Sequence, residues 1–271
     1  MTKKICIVNY YTDGGREDYK LGTLRLTQTL DNVGYEGDMI IFSPSLKEED
    51  TVKEYDFTKG GKIIRIASEP FNKKYGNALS HKEAPYQFKS YIIQYAKEQG
   101  YDKVIWLDSS VIVTRNLNHY LTLLEELGVI LFDNPGCLES TWTADNCLEI
   151  MGCSVEAART FFEIDAAIML FNFRTKKAND FFEEYMKYCQ YPSCLKGEVC
   201  IREDFKAHRH DQSIASYIAR IKHNILPLNY GAWCYFDNFA SGEFPKATFL
   251  KCGIQVPMEN ILYYINRNKE Y

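Results

Sequence analysis

An apolar run from Val104 to Leu107 stops at Asp108, passes Ser109 and Ser110, and resumes at Val111. A strand buried on both faces reads as an unbroken apolar run, so this pattern predicts a central parallel strand over residues 104–107 with Asp108 at its carboxyl end. In open α/β sheets that end faces the ligand crevice, where an acid is placed to hold a hard cation or a ribose. Residues i and i+2 of an extended chain point the same way, so Asp108 and Ser110 are expected to enter the crevice together. The same three residues also read as an ordinary Asp-Ser-Ser turn.

A second group is Ala207-His-Arg-His-Asp-Gln-Ser-Ile214, two histidines, an arginine and an acid ahead of Ile214, Ile218 and Ile221 at helical spacing. Asp211 is a ready N-cap for that helix, and a cap needs no catalytic role. His208 and His210 alternate onto one side of an extended segment, a weak metal signal by itself.

The elements that must carry these residues alternate in type. Strands are expected at residues 4–8, 39–42 and 63–66, with a helix over 19–33 closed by Gly34, which argues for βαβ crossovers and a parallel sheet. Residues 87–97 form the clearest helix, with Phe88, Tyr91, Ile92, Tyr95 and Ala96 recurring at helical spacing. Lys89 then reads either as a solvated lysine on the outer face or as a phosphate contact. Further on come a helix at 120–127, a strand at 129–132, a helix capped by Ser154 and running to 162, a strand at 166–171 and an amphipathic helix at 176–189. The polar stretch 133–152 is expected to be an irregular acceptor loop holding Trp142, Thr143 and Asp145, and 230–249 an aromatic-rich irregular tail. Trp142, Trp233, Tyr235 and Phe236 are flat rings suited either to a sugar face or to loop packing. Without a linker or repeat, residues 1–271 read as one domain.

Residues 103–116, with Phe171-Asn-Phe-Arg-Thr175 and Arg209-His-Asp-Gln-Ser213, resemble glycosyltransferases of the GT-A fold, and the order of elements is similar from about residue 3 to 228. The resemblance implies a three-layer α/β/α sandwich with a mostly parallel central sheet. It also implies transfer of a sugar from a nucleotide-diphosphate donor to a carbohydrate or other hydroxyl acceptor. Family members carry an Asp-x-Asp element that holds Mn²⁺ or Mg²⁺ against the diphosphate. Here Ser110 takes the third position, so the metal set is Asp108, Ser110 and His210, or Asp211 completes it, or the diphosphate oxygens carry most of the metal, or cationic side chains replace it.

On the same resemblance, the donor would meet Asn9, Tyr10, Tyr11, Thr12, Lys89, Asp108, Ser109 and Ser110, with Tyr11 stacking on the base. The bland alternative for Asn9 to Thr12 is a strand-to-loop turn. The reaction centre would be lined by the Asp211-Gln212 pair, with Asp165 a further catalytic candidate from its acid chemistry alone. Charge building on the leaving diphosphate needs a metal or a cationic clamp, for which Lys89, Arg115, Arg209 and His210 are candidates. An inverting transfer needs a base among Asp145, Asp165 and Asp211; a retaining one does not. Rival readings are a sugar nucleotidyltransferase, of which Asp13-Gly-Gly-Arg16 is a poor loop, and a non-catalytic nucleotide-sugar-binding protein.

Composition narrows the field. With 46% apolar residues in 271 the chain can bury a large core, and a net charge of -4 argues against a nucleic-acid partner. The first residues are too polar for a signal or membrane segment, and nine cysteines without a Cys-x-x-Cys pair suit a reducing compartment, so a cytoplasmic protein with free thiols and no transmembrane segment is expected. The Rossmann, P-loop, zincin and Gly-x-Ser-x-Gly signatures are missing.

Overall fold

The structure, a computed structural model, describes residues 4–10, 17–43, 52–67, 83–198, 200–229, 231–253 and 256–268. Seven strands form the central sheet: β1 (Ile5–Tyr10), β2 (Asp38–Ser43), β3 (Val52–Asp56), β4 (Lys62–Ala67), β5 (Lys103–Leu107), β7 (Val129–Leu138) and β8 (Phe162–Asn172). They lie in the order β3-β4-β2-β1-β5-β8-β7. The run from β4 through β2 and β1 to β5 is parallel, as the alternation of strands and helices requires.

Period-two alternation sorts the strand residues into two layers. Cys6, Val8, Val104 and Trp106 pack on one face with Phe88, Ile92 and Ala96 of the Gln87–Glu98 helix and Phe181, Phe182 and Tyr185 of the Lys176–Cys189 helix. Ile7, Ile105 and Leu107 pack on the other face with Leu26 and Leu30 of the Glu17–Asn32 helix and Tyr120 and Leu124 of the Asn118–Leu127 helix. The result is a three-layer α/β/α sandwich in which β5 is buried along its whole length.

The expected mostly parallel sheet holds from β4 to β5, with β3 added antiparallel to β4 at one edge and antiparallel pairing beyond β5. β8 runs antiparallel to both β5 and β7. The chain leaves β7 at the carboxyl edge of β5, passes through short helices at Glu139–Trp142, Asp145–Met151 and Val155–Ala158, and re-enters the sheet at the same edge. The first residues of β8 are therefore delivered beside Asp108.

Three other expectations change. The stretch 133–152 is not an irregular loop, since β7 continues to Leu138 and two helices follow. Ser154 does cap a helix by accepting from the Ala157 N–H, but the helix ends at Ala158, because pairing with β7 claims Phe162 and Ile164 for β8. The expected tail instead builds a three-stranded sheet of β6 (Val111–Val113), β10 (Phe249–Lys251) and β9 (Trp233–Tyr235), backed by Phe239, Ile261 and Ile265. β3 was not foreseen. Each cysteine is a free thiol. Among the described residues no helix is long and apolar enough to cross a membrane.

Candidate functional site

Asp108 stands at the carboxyl end of β5, its N–H donating to the Ala167 carbonyl (2.9 Å) and its own carbonyl accepting from Val111 (2.9 Å). Its side chain points to the same face as Trp106, two residues earlier, whose indole N–H donates to Oδ1 at 2.6 Å. With 30% of the side chain exposed, the carboxylate is reachable from solvent.

Lys89 lies beneath it. Of its two readings, the solvated outer-face one does not hold: Lys89 is on the buried face of its helix with 2% exposure. Its ammonium donates to the Ala166 carbonyl (2.8 Å), pairs with Asp211 (2.8 Å) and lies 3.6 Å from Asp108. The rings of Tyr86 and Trp106 stand 5.5 and 5.2 Å from it. Burial alone would lower the Lys89 pKa, and the fields of Asp108 and Asp211 more than reverse this, so the amine stays charged.

Asp211 opens the Asp211–Tyr217 helix, but its carboxylate is spent on Lys89 and on the Tyr185 hydroxyl (3.2 Å) and is almost fully enclosed. It positions Lys89 and is no free base. Asp165 is likewise sealed, accepting from the Ala167 N–H (2.9 Å) and pairing with the Lys251 ammonium at 2.6 Å. Gln212, half-buried, is the accessible member of the expected reaction centre. Its amide donates to Glu163 (2.6 Å), and Glu163 also accepts from Ser213 (2.9 Å). Burial pushes the Glu163 carboxyl up to about 8, even though those hydrogen bonds pull it down.

Several expected contacts turn out to be braces. Asn9 is fully buried, donating to the Leu107 carbonyl (2.6 Å) and accepting from Thr23 (2.8 Å). Ser109 bonds Thr23 (3.0 Å) and the Tyr10 carbonyl (3.1 Å), while the Tyr10 ring packs 4.4 Å from Phe88. Tyr11 and Thr12 lie outside the described residues. Trp142 carries the Arg209 guanidinium 4.2 Å above its ring instead of an open sugar platform. Thr143 is buried and donates to Glu139 (2.9 Å), and Asp145 is paired with Arg202 at 2.5 Å. Arg115 is held by the carbonyls of Pro245 and Asn268. Asn9, Ser109 and Thr143 are buried, whereas the Asp145 carboxylate, though paired with Arg202, keeps 28% exposure.

The histidines divide similarly. His208 accepts from the Ala144 N–H (3.2 Å) and its other ring nitrogen bonds the Cys194 carbonyl (2.7 Å), which makes it a neutral strut. Burial, with His210 adding to it, lowers its pKa to about 4. His210 spends Nδ1 on the Leu195 carbonyl (2.7 Å), stacks 5.2 Å from Tyr86 and sits at φ 55°, a conformation non-glycine residues avoid.

These residues fit a divalent cation poorly. Asp108 offers one carboxylate already bonded to Trp106 and faced by an ammonium, Ser110 offers a neutral hydroxyl, and the His210 Nδ1 is engaged. No cluster of three His, Cys, Asp or Glu side chains able to hold a metal forms among the described residues. Mg²⁺ and Mn²⁺ favour several hard oxygen ligands and no adjacent cation.

Lys251 and Glu163 were missed from the sequence. The spacing Glu163-x-Asp165 was a usable signal, since two acids at i and i+2 in an apolar strand share one face. Lys251 had no local signal; it arrives through the register of β10 on β6, where it pairs with Val111. A separate hollow of ≈ 370 Å³, lined by Lys4, Tyr35, Glu36, Asp38 and Asn116 among others, lies at the amino ends of β1 and β2. Parallel sheets bind ligands at the opposite edge, where Asp108 stands.

No protein-family model matches the chain, and a search of curated proteins finds no relative. Solved structures do match its shape. An apo structure of the bifunctional glycosyltransferase WbbM aligns with a TM-score of 0.58 at 13% identity over 98% of this chain, which spans half (50%) of the WbbM chain. Apo mouse xyloside xylosyltransferase 1 gives 0.55 at 11% identity, covering 92% of this chain and 97% of that one. The galactosyltransferase LgtC, in complex with donor and acceptor sugar analogues, gives 0.52 at 12% identity, covering 97% and 96%. The sheet order, the three layers and these likenesses together establish the fold as that of the GT-A glycosyltransferases.

Proposed function

We propose that this protein transfers a glycosyl group from a nucleoside-diphosphate sugar to a hydroxyl of a carbohydrate or other small acceptor. The observation that carries this reading is the accessible Asp108 carboxylate at the carboxyl end of β5, with the Lys89–Asp211 pair and Gln212 gathered beside it. The shared fold of three glycosyltransferase structures supports it.

In this reading the nucleotide lies across the carboxyl ends of β1 and β5, and Asp108 accepts hydrogen bonds from ribose hydroxyls. Lys89 fixes the carboxylates of Asp108 and Asp211 around it, and Gln212, held by Glu163, borders the donor sugar. During transfer the bond from the anomeric carbon to the diphosphate oxygen breaks with its electron pair leaving on that oxygen. The acceptor oxygen bonds to the anomeric carbon and its proton leaves to the departing diphosphate or to water. Charge on the leaving group must be met by fixed positive groups at the crevice.

The test is a panel of nucleotide sugars followed for thermal stabilisation and for release of nucleoside diphosphate. Stabilisation rises with the logarithm of ligand concentration over its dissociation constant. One donor class that both binds and turns over supports the reading. Pyrophosphate release from a sugar phosphate and nucleoside triphosphate would replace it with nucleotidyl transfer, and binding without turnover would reduce it to a binding protein.

A further inference from the structure

We infer that the ammonium of Lys251 is the cation that faces the donor's diphosphate, doing there what a divalent metal ion would otherwise do. This rests on the proposed glycosyl transfer and names the charge partner that site uses.

Lys251 ends β10, and its placement is fixed by backbone. β10 pairs antiparallel with β6, which puts Lys251 opposite Val111, and the next N–H, that of Cys252, donates to the Ser110 carbonyl at 2.8 Å. The lysine is thus locked against the Asp108-Ser109-Ser110 turn. Its Nζ donates to the buried Asp165 at 2.6 Å and lies 5.2 Å from the Trp233 ring, and its side chain keeps 24% exposure. An ammonium has three N–H groups, and Asp165 takes one. No second hydrogen-bond acceptor meets Nζ among the described residues, so the remaining donors are available to a phosphate. Lys89 differs, because the Ala166 carbonyl and Asp211 take two of its donors and Asp108 lies nearest the third. Asp165 and Asp108 keep Lys251 protonated against the cost of its burial.

The alternative cation is disfavoured by the same neighbours. A divalent ion at Asp108 would share one carboxylate with the Lys89 ammonium 3.6 Å away, next to Lys251, and would find a serine where a second acid is wanted. With a lysine already meeting the diphosphate, Asp108 is free to accept from ribose hydroxyls, which is consistent with a single carboxylate.

The experiment measures binding of UDP, GDP, ADP and CDP by calorimetry to the whole chain, in chelator and in excess Mn²⁺. At least one diphosphate is expected to bind in chelator, with Mn²⁺ changing its Kd by less than about threefold, and Lys251→Met is expected to weaken it by about tenfold or more, the loss of one charge-assisted hydrogen bond. Because Lys251→Met leaves Asp165 buried and unpaired, the neutral double variant Lys251→Met/Asp165→Asn is measured beside it and is expected to show the same loss with an intact fold, while Lys251→Arg retains binding. Binding that vanishes in chelator and returns with Mn²⁺ overturns the inference and leaves glycosyl transfer standing, as does a double variant that binds like the unsubstituted protein. If no nucleoside diphosphate binds with or without Mn²⁺, the proposed function falls and this inference falls with it.

Discussion

The ammonium of Lys89 and the carboxylate of Asp211 meet at 2.8 Å with 2% and 4% of their side chains exposed. Two charges this deep offset each other's desolvation and are costly singly, since removing one leaves the other buried without its nearest opposite charge. Lys89→Met and Asp211→Asn should each lower unfolding free energy by about 3–5 kcal/mol, and the double variant should recover most of the loss. A double-mutant cycle from urea unfolding measures this. Additive single losses would mean that the two groups do not act on each other.

Glu163 should impose a pH dependence of unusual sign for an acid. Its pKa rises from 4.5 in the unfolded chain to about 8 in the fold, with burial the largest cause. Between those values the folded protein holds a proton that the unfolded chain has released, so this group's contribution to stability falls as pH rises through the window, at up to about 1.4 kcal/mol per pH unit. Below 4.5 both states are protonated, above 8 both are ionised, and the contribution is flat. Subtracting the stability of Glu163→Gln from that of the unsubstituted protein at each pH reads the effect of Glu163 together with the response of the neighbouring buried Glu139, whose carboxyl it pushes up. The difference should decline steadily from pH 5 to pH 8, and a constant difference would show an ordinary carboxylate.

Gly22 tests how closely the Glu17–Asn32 helix must approach the Asp108 turn. Alanine inside a helix is ordinarily about 1 kcal/mol better than glycine. At Gly22, however, a Cβ would lie 2.2 Å from the Ser109 carbonyl oxygen, a backbone atom held by the same turn. Gly22→Ala should therefore destabilise by about 1–3 kcal/mol, as overpacking does, and reduce donor-induced stabilisation by displacing Ser109 and its neighbour Asp108. Thermal unfolding with and without donor reads both effects. A more stable variant would mean that the helix can retreat without cost.

The sequence made some of this legible for identifiable reasons. β5 was readable because both its faces are buried and its residues are all apolar beyond Lys103, and the 87–98 helix because its apolar stripe is unbroken. β3 was hidden because Val52-Lys-Glu-Tyr-Asp56 is an edge strand with little apolar content. Lys89 was misplaced because a buried lysine depends on a partner, Asp211, from a distant part of the chain, and no local period encodes that. Lys251 was invisible for the same kind of reason, since β10 gains its meaning from register on β6. The sequence points to Asp108, Asp211 and Gln212, and the structure brings all three to the carboxyl end of β5, but how exposed each one is depends on burial that no local pattern encodes. Asp211 and Asp165 are enclosed and ion-paired, while Asp108 and Gln212 stay accessible.

Asp108 carries the last prediction, and two substitutions separate its structural and functional roles. Its Oδ1 accepts the Trp106 indole N–H at 2.6 Å, so Asp108→Ala orphans a buried donor and should cost about 1–3 kcal/mol of stability. Asp108→Asn keeps an oxygen for that N–H and should lose less stability than the alanine variant, its remaining cost being the negative charge removed 3.6 Å from the buried Lys89 ammonium. Toward the donor, the alanine variant loses the acceptor for ribose hydroxyls outright and should show no donor-induced thermal shift and no release of nucleoside diphosphate. The asparagine variant keeps a neutral acceptor and should retain a reduced shift, because hydrogen bonds to a charged group are about twice as strong as neutral ones. Measuring unfolding and donor shift together distinguishes lost binding from lost folding. If Asp108→Ala binds and turns over donor as the unsubstituted protein does, the carboxyl end of β5 is not where the nucleotide sits.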